Sequence, residues 1–204
     1  NQLMKEESLT YTDGVATFNV PQGFKGQIYV QAYDNVSNTS GLKTTQAYVI
    51  DDVKPTITLE QGKKTSYKDA DGYPLYTSPI TVSVTMSDEG AGLKEIKLTQ
   101  DSEKKGMSTE ETGWKDFAPK GWNIVQTDRN LVTQIKKSVS FDEDNNKISV
   151  KATATDRANN ALEDVKYGYF SIDMTAPVVN INFREDNDDD MYYNQDRIAD
   201  ITIK

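Results

Sequence analysis

Four aspartates recur at matched positions and could bind a cation. Asp34 and Asp51 lie 17 residues apart, as do Asp156 and Asp173, and an offset of 122 residues carries the first pair onto the second. A strand, a turn and a return strand of that length predict that the members of each pair come close in space. Carboxylates beside amide or backbone oxygens are the ligands that Ca²⁺ prefers. The spacing makes all four candidate metal ligands, with Ca²⁺ as the expected cofactor.

The same aspartates have a second interpretation, which involves no cation. An aspartate in a loop accepts hydrogen bonds from backbone amides two residues further on, as in an Asx-turn. Carboxylates held together without a cation repel each other, so a basic residue or backbone amides must balance them. Lys54 and Arg157 are the nearest basic residues in the sequence. The sequence therefore leaves the cation and the loop cap as open alternatives.

Two acidic runs, 142–146 and 186–190, begin like a calcium-binding loop but lack its later residues. An EF-hand loop requires Gly at its sixth position and Glu at its twelfth. The run 186–190 has Met191 and Arg197 at those positions, and the run 142–146 has Lys147 and Thr153. Both runs are predicted to be solvated hairpin loops.

Trp114 and Trp122 are the two tryptophans and lie in a stretch that has no counterpart in the repeat described below. Exposed aromatic side chains form contact surfaces for sugars and proteins, which makes both residues candidate ligand-binding positions. The alternative is that they are ordinary core residues or cover the edge of a sheet.

Composition excludes several kinds of chemistry. The chain has 204 residues with no cysteine and no histidine, so it cannot form a disulfide, a Cys/His zinc site or a Ser-His-Asp triad. Its formal net charge of −9 argues against nucleic acid as a partner. The sequence has no apolar run long enough for membrane insertion. Glycosidase-type carboxylate pairs carry no specificity among 32 acidic residues, so we expect no catalytic residue and no enzyme.

Period-two alternation dominates the chain and predicts antiparallel strands with one buried face. The inward positions form the expected core of the complete unit: Ile57, Leu59, Ile80, Val82, Val84, Ile148, Val150, Ala152 and Ile172. In the strand that contains Ile148, every second residue points inward, and Asp156 falls in this inward series. A carboxylate is tolerated there only where the strand leaves the sheet. The best candidate for a helix, the polar stretch 102–111, lacks an apolar stripe.

An internal repeat organises the chain. At the offset of 122, the stretch 28–38 matches 150–160, Ile50 matches Ile172, and Pro55 matches Pro177. Because one repeat is about as long as the offset, the sequence predicts three parts: the C-terminal part of a domain (1–51), a complete domain (52–173) and the N-terminal part of the next (174–204). The parts are expected end to end. The alternative is that the tail of one molecule completes the head of another.

These motifs resemble the tandem immunoglobulin-like (Ig-like) domains of bacterial cell-surface and adhesin proteins. The resemblance rests on a strand that ends in Thr-Asp-x-Ala-x-Asn at 155–160, followed by Asp-Met-Thr-Ala-Pro at 173–177. The usual Gly of the first motif is replaced by Asn159 in one copy and by Ser37 in the other. The resemblance implies an all-β fold of antiparallel Ig-like β-sandwiches in tandem. It also implies that Ca²⁺ stiffens domain junctions in some relatives.

The expected function is a non-catalytic structural or adhesive stalk module of a large bacterial surface or secreted protein. Its partners would be the neighbouring Ig-like domains of the same chain, with a host or glycan ligand at the distal end, and its location extracellular. Two alternatives remain open. The chain could be an accessory Ig-like domain of a large extracellular glycosidase or surface protease, or a carbohydrate-binding module centred on Trp114 and Trp122.

Overall fold

The computed structural model describes residues 8–9, 12–184 and 196–204, apart from the side chain of Asp164. These residues form strands, turns and loops and contain no helix. Accordingly, no helix in the described ranges could span a bilayer.

The described residues form fifteen strands. They are β1 (Lys25–Gly26), β2 (Tyr29–Val30), β3 (Lys43–Thr44), β4 (Tyr48–Val49), β5 (Thr56–Gln61), β6 (Leu75–Tyr76), β7 (Ile80–Ser87), β8 (Leu93–Asp101), β9 (Ser108–Gly113), β10 (Asn123–Asp128), β11 (Leu131–Phe141), β12 (Asn145–Asp156), β13 (Ala161–Ile172), β14 (Val179–Phe183) and β15 (Ala199–Ile203). The prediction of an all-β fold is confirmed. The polar stretch 102–111 contains the start of β9 rather than a helix.

Strands β5 to β13 form a central unit of two sheets. One sheet has the order β10-β11-β7-β5 and the other the order β6-β13-β12-β8-β9, and every pairing is antiparallel except that of β6 with β13. Apolar side chains from both sheets form one hydrophobic cluster. The arrangement is compatible with a β-sandwich.

The predicted core is confirmed. Seven of the nine expected residues are buried: Ile80, Val82, Val84, Ile148, Val150, Ala152 and Ile172. Ile57 and Leu59 pack against the same cluster but are only partly buried, because β5 is the edge strand of its sheet. Since a slip of one residue would turn a whole run outward, the alternation in the sequence determined which face of each strand is buried.

The stretch that has no counterpart in the repeat contributes residues to the hydrophobic core as well as edge strands to the two sheets. Phe117 and Trp122 lie between β9 and β10 and are buried in the main cluster. The indole Nε1 of Trp122 donates to Glu110 Oε1 at 3.2 Å, and Lys137 Nζ donates to the same carboxylate at 2.8 Å. A buried indole with a satisfied N–H is a stabilising core residue.

Two further segments flank the central unit and expose apolar side chains. The first segment (residues 12–51) holds the two-stranded pairs β1–β4 and β2–β3, and the last hairpin pairs β14 with β15. Val30, Tyr33, Ile181 and Ile201 are all exposed. Neither segment is a closed unit in the described part of the chain. The division of the sequence into one complete and two partial domains remains a prediction.

The two tryptophans should differ sharply in their contribution to folding. Trp122 is 2% exposed and Trp114 is 38% exposed. We expect Trp122→Ala to lower the free energy of unfolding by about 3–5 kcal/mol, because it leaves a cavity in the core. Trp114→Ala should cost less than about 1 kcal/mol, the scale of an exposed cation–π contact. Urea denaturation of both variants tests this, and equal losses would contradict the assignment of Trp122 to the core.

Candidate functional site at the first junction

Two aspartates, at one end of the central unit, continue the series of inward-facing residues in β7 and β12. In β7 the inward series Ile80, Val82, Val84 and Met86 continues to Asp88, which is 4% exposed. In β12 the same parity continues to Asp156, which is 0% exposed. The loop 88–92 connects Asp88 to β8, and the first residue of β8 pairs with Asp156. The two buried carboxylates therefore flank one loop.

A third aspartate reaches this place from the first segment. The Oδ2 of Asp51 accepts a hydrogen bond from the Ala91 amide at 2.6 Å. The side-chain amide of Asn160 donates to the Asp51 carbonyl at 3.0 Å and to Asp156 Oδ2 at 2.7 Å. Asn160 therefore connects the segment that precedes the central unit with a buried carboxylate inside it.

The three carboxylates form a compact cluster. One oxygen each from Asp51, Asp88 and Asp156 lies within 4.8 Å of the other two. Burial raises the pKa of the Asp88 carboxyl, and the carboxylates of Asp51 and Asp156 raise it further, while the Gly92 amide and the Lys25 ammonium lower it. The rise reflects the free-energy cost of holding several negative charges together away from water.

Backbone amides balance part of this charge. The amides of Val53 and Gly92 donate to Asp51 Oδ1 at 3.0 Å and to Asp88 Oδ1 at 2.6 Å. The Asn160 amide donates to Asp156 Oδ1 at 2.8 Å. A carboxylate has about four acceptor positions, so these hydrogen bonds leave acceptor capacity at the cluster.

Lys25 of β1 forms a second set of contacts across the same junction. Its Nζ donates to the Glu89 carbonyl and pairs with Asp128 Oδ2 at 3.1 Å. In return, Arg129 Nη1 donates to the Lys25 carbonyl at 3.0 Å. The sequence-based candidates for balancing the charge were Lys54 and Arg157. The guanidinium of Arg157 instead lies over the ring of Trp114, 4.7 Å from its centroid.

The predicted pairing of aspartates is wrong. Asp156 ends β12 at the pole where Thr155 pairs with Ala161, whereas Asp173 follows Ile172, which pairs with Asn145 at the other end of the same strand. A strand of 12 residues spans roughly 35 Å, so the two carboxylates lie at opposite poles. Asp34 and Asp51 are separated in the same way. The return strand runs the full length of its partner, so a spacing of 17 residues leads away from the starting pole.

The two copies nevertheless share their local geometry. Asp34 accepts hydrogen bonds from the amide and side-chain amide of Asn38 at 2.8 and 2.7 Å, and Asp156 accepts the equivalent bonds from Asn160 at the same distances. Ser37 and Asn159 have positive φ angles of 66° and 70°. That conformation explains why the related motif carries Gly at this position.

Asp51 and Asp173 share a second local pattern. Each accepts an amide two residues further on, from Val53 at 3.0 Å and from Thr175 at 3.1 Å. For Asp34 and Asp173 these contacts are those of the loop cap, the alternative that the sequence left open. Their assignment as metal ligands stays a prediction.

The acidic run 142–146 holds the chain where it leaves the central unit. Asp144 accepts from the Met174 amide at 2.6 Å and from the Thr175 hydroxyl. Hydrogen bonds from Lys104 and Lys105 lower the pKa of Glu143 to about 2. The second acidic run, 186–190, lies outside the described residues.

Asp88 is the member of the cluster that sequence reasoning missed. The sequence did contain the pattern, because Asp88 follows Met86 by two residues in an alternating strand, just as Asp156 follows Ala154. What the sequence could not indicate is that Asp51 of the preceding segment lies beside them. Among the candidate ligand-binding residues, Trp114 is partly exposed and Trp122 belongs to the core.

Neither the comparison with known protein families nor the comparison with curated proteins gives a match for this chain.

Gly90 should be required for the docking of Asp51. A Cβ atom at Gly90 would lie 1.9 Å from Asp51 Oδ2, so Gly90→Ala must displace that carboxylate. We expect amide exchange at Ala91 to become easier by about 1.5–3 kcal/mol, the usual contribution of a hydrogen bond to a charged group. Hydrogen-exchange NMR measures this change.

Gly62→Ala is the matched control, because no atom lies within 4 Å of the added Cβ. Equal effects of the two variants on the Ala91 amide would contradict the contact.

Proposed function

We propose that this chain is a non-catalytic stalk module of a large bacterial surface or secreted protein, built from tandem Ig-like β-sandwiches. Its function is mechanical: consecutive units are held end to end, so that the array projects a distal part of the protein. The neighbouring units are its main partners, and a host or glycan ligand is a further one. The proposed location is extracellular.

The observation that carries the proposal is the bridge made by Asn160. One side-chain amide binds both the backbone of the segment entering the central unit and a buried carboxylate of that unit. Asp51 adds a contact to the Ala91 amide, and Lys25 and Arg129 add a further set of contacts between the first segment and the central unit. Several separate contacts across a junction resist bending better than a single one, as a rigid spacer requires.

The last hairpin supports the tandem arrangement. In the central unit, Ile57 pairs with Met86 and Leu59 with Val84. In the last hairpin, Val179 pairs with Ile203 and Ile181 with Ile201, so the apolar cross-strand pairs follow the same order. The exposed apolar face of this hairpin corresponds to the face that β5 and β7 turn towards the second sheet of the central unit. We therefore propose that residues 174–204 begin a further unit of the same kind.

The rigidity of the first junction can be measured directly, because the chain has no native cysteine to interfere with spin labels. Val36→Cys and Met107→Cys place labels at two exposed positions, one in the first segment and one in the central unit. We expect a narrow label-to-label distance distribution by pulsed electron paramagnetic resonance. Combining Asn160→Ala with Arg129→Ala should broaden it, because each substitution removes a hydrogen bond that crosses the junction.

Arg184→Ala is the matched control, since Arg184 pairs with Asp200 in the last hairpin. A broad distribution in the parent chain, or no broadening on removal of Asn160 and Arg129, would contradict a rigid junction.

Trp114 favours a second candidate function, a carbohydrate-binding module. Its ring is partly exposed, with Arg157 Cζ at 4.7 Å and Lys115 Nζ at 5.4 Å from the centroid. An exposed indole beside two cations could bind an acidic sugar by stacking and charge attraction.

Binding on a glycan array that is lost in Trp114→Ala would support this second function. The array includes Lys120→Ala as the control for a nearby surface change. Binding that persists without the Trp114 indole would count against it. The remaining alternative, an accessory domain of an extracellular enzyme, depends on domains outside these residues.

A further inference from the structure

We propose that Asp51, Asp88, Asp156 and the hydroxyl of Thr133 form a single Ca²⁺ site that is completed only when the first segment docks on the central unit. The inference deepens the proposed stalk function, because it rests on this junction being the connection between consecutive units. The site differs from the pairs expected from sequence spacing. Asp88 and Thr133 enter it, and Asp34 and Asp173 do not.

The size of the cluster fits the ion. Oxygen ligands lie about 2.4 Å from Ca²⁺, so two ligands of one ion are at most about 5 Å apart. The three carboxylates supply oxygens within 4.8 Å of one another. All three are hard oxygen donors, and they come from three separate segments, which gives an irregular arrangement that Ca²⁺ accepts more readily than Mg²⁺ does.

Thr133 provides an independent observation at the same place. Its side chain is 2% exposed, and its Oγ1 is buried and has no hydrogen-bond partner among the described residues. Gln134 pairs with Ser87, and the Asp88 amide donates to the Thr133 carbonyl at 2.8 Å, so Thr133 lies directly opposite Asp88. Opposed residues of antiparallel strands project from the same face of the sheet. A buried hydroxyl without a partner is costly, and binding to the cation would satisfy it.

Charge balance also favours a cation at this cluster. Two of the carboxylates are almost fully buried, and the third is half-buried. The Lys25 ammonium attracts the Asp88 carboxylate, but its direct partners are the Glu89 carbonyl and Asp128. Backbone amides reduce the repulsion between carboxylates but bring no full positive charge. One divalent ion would reduce the formal charge of the three aspartates from −3 to −1.

The docking requirement follows from where the ligands originate. Asp88 and Asp156 belong to the central unit, whereas Asp51 belongs to the segment that precedes it. An ion bound by all three therefore joins the two parts of the chain. Among the described residues, the one cluster of three acidic groups is that at the first junction, and Asp34 and Asp173 are not part of it.

Calorimetric titration of the whole chain with CaCl₂ tests the site. We expect one Ca²⁺ per chain, with affinity reduced at least tenfold in Asp51→Asn, Asp88→Asn and Asp156→Asn. Thr133→Val should weaken binding several-fold, and Thr133→Ser should restore it. Asp34→Asn and Asp173→Asn are matched controls and should bind as the parent does. Circular dichroism verifies that each variant is folded. No binding at millimolar Ca²⁺, or equal losses in the two controls, would overturn the proposal.

Melting temperatures separate a cation site from a loop cap. Without Ca²⁺, Asp88→Asn should melt above the parent chain, because it removes one of three repelling charges. With Ca²⁺ in excess, the order should reverse. A cap that depends only on backbone amides would make Asp88→Asn melt below the parent under both conditions, and that result would overturn the proposal.

The spin-label experiment distinguishes this proposal from the stalk function. A narrow distance distribution together with no Ca²⁺ binding would refute the cation site and leave the rigid junction standing. Ca²⁺ binding with a broad distribution in both the presence and the absence of the ion would establish the site and refute the rigid junction.

Discussion

In β7 and β12, the series of inward-facing residues continues beyond the apolar side chains of the core. The alternation that buries Val84, Met86, Ala152 and Ala154 continues to Asp88 and Asp156, so two carboxylates occupy positions that belong to the core. Burial of a charge costs free energy unless hydrogen bonds or opposite charge compensate for it. The loops at this end of the central unit are arranged around that requirement. The Gly92 amide faces Asp88, and the amides of Asn160 face Asp156.

The same requirement explains why the preceding segment docks here. A pole that offers donors from Ala91 and Asn160 binds the linker through both its backbone and its side chain. Gly90 is needed because any Cβ at that position would overlap the Asp51 carboxylate. The contacts that satisfy the buried charges are therefore also the contacts that join two parts of the chain, so the stability of the pole and the docking of the first segment are coupled.

The opposite pole uses different residues for a related purpose. There Asp144 accepts hydrogen bonds from the Met174 amide and the Thr175 hydroxyl, and so holds the chain as it leaves the central unit. The linkers on the two sides differ in sequence, but each begins with an aspartate that accepts an amide two residues further on. The proposed stalk function would require an anchored chain at both ends of the unit, together with a core that does not deform. The hydrophobic cluster shared by the two sheets supplies that core.

Local chemistry in the sequence determined the strands, their buried faces and the loop motifs. Side-chain alternation has a period of two, so Ile80 to Val84 and Ile148 to Ala152 had only one buried face available to them. The motif at 156–160 likewise defined a loop with a positive φ at Asn159, because its hydrogen bonds join residues only a few positions apart. Only the tertiary structure decided which aspartates meet. Asp51, Asp88 and Asp156 are brought together by the order of strands in two sheets and by docking of the first segment, and these are contacts between residues 37 to 105 positions apart. Spacing along one hairpin pointed to Asp34 with Asp51 and Asp156 with Asp173, and it failed because a return strand carries the chain to the far pole.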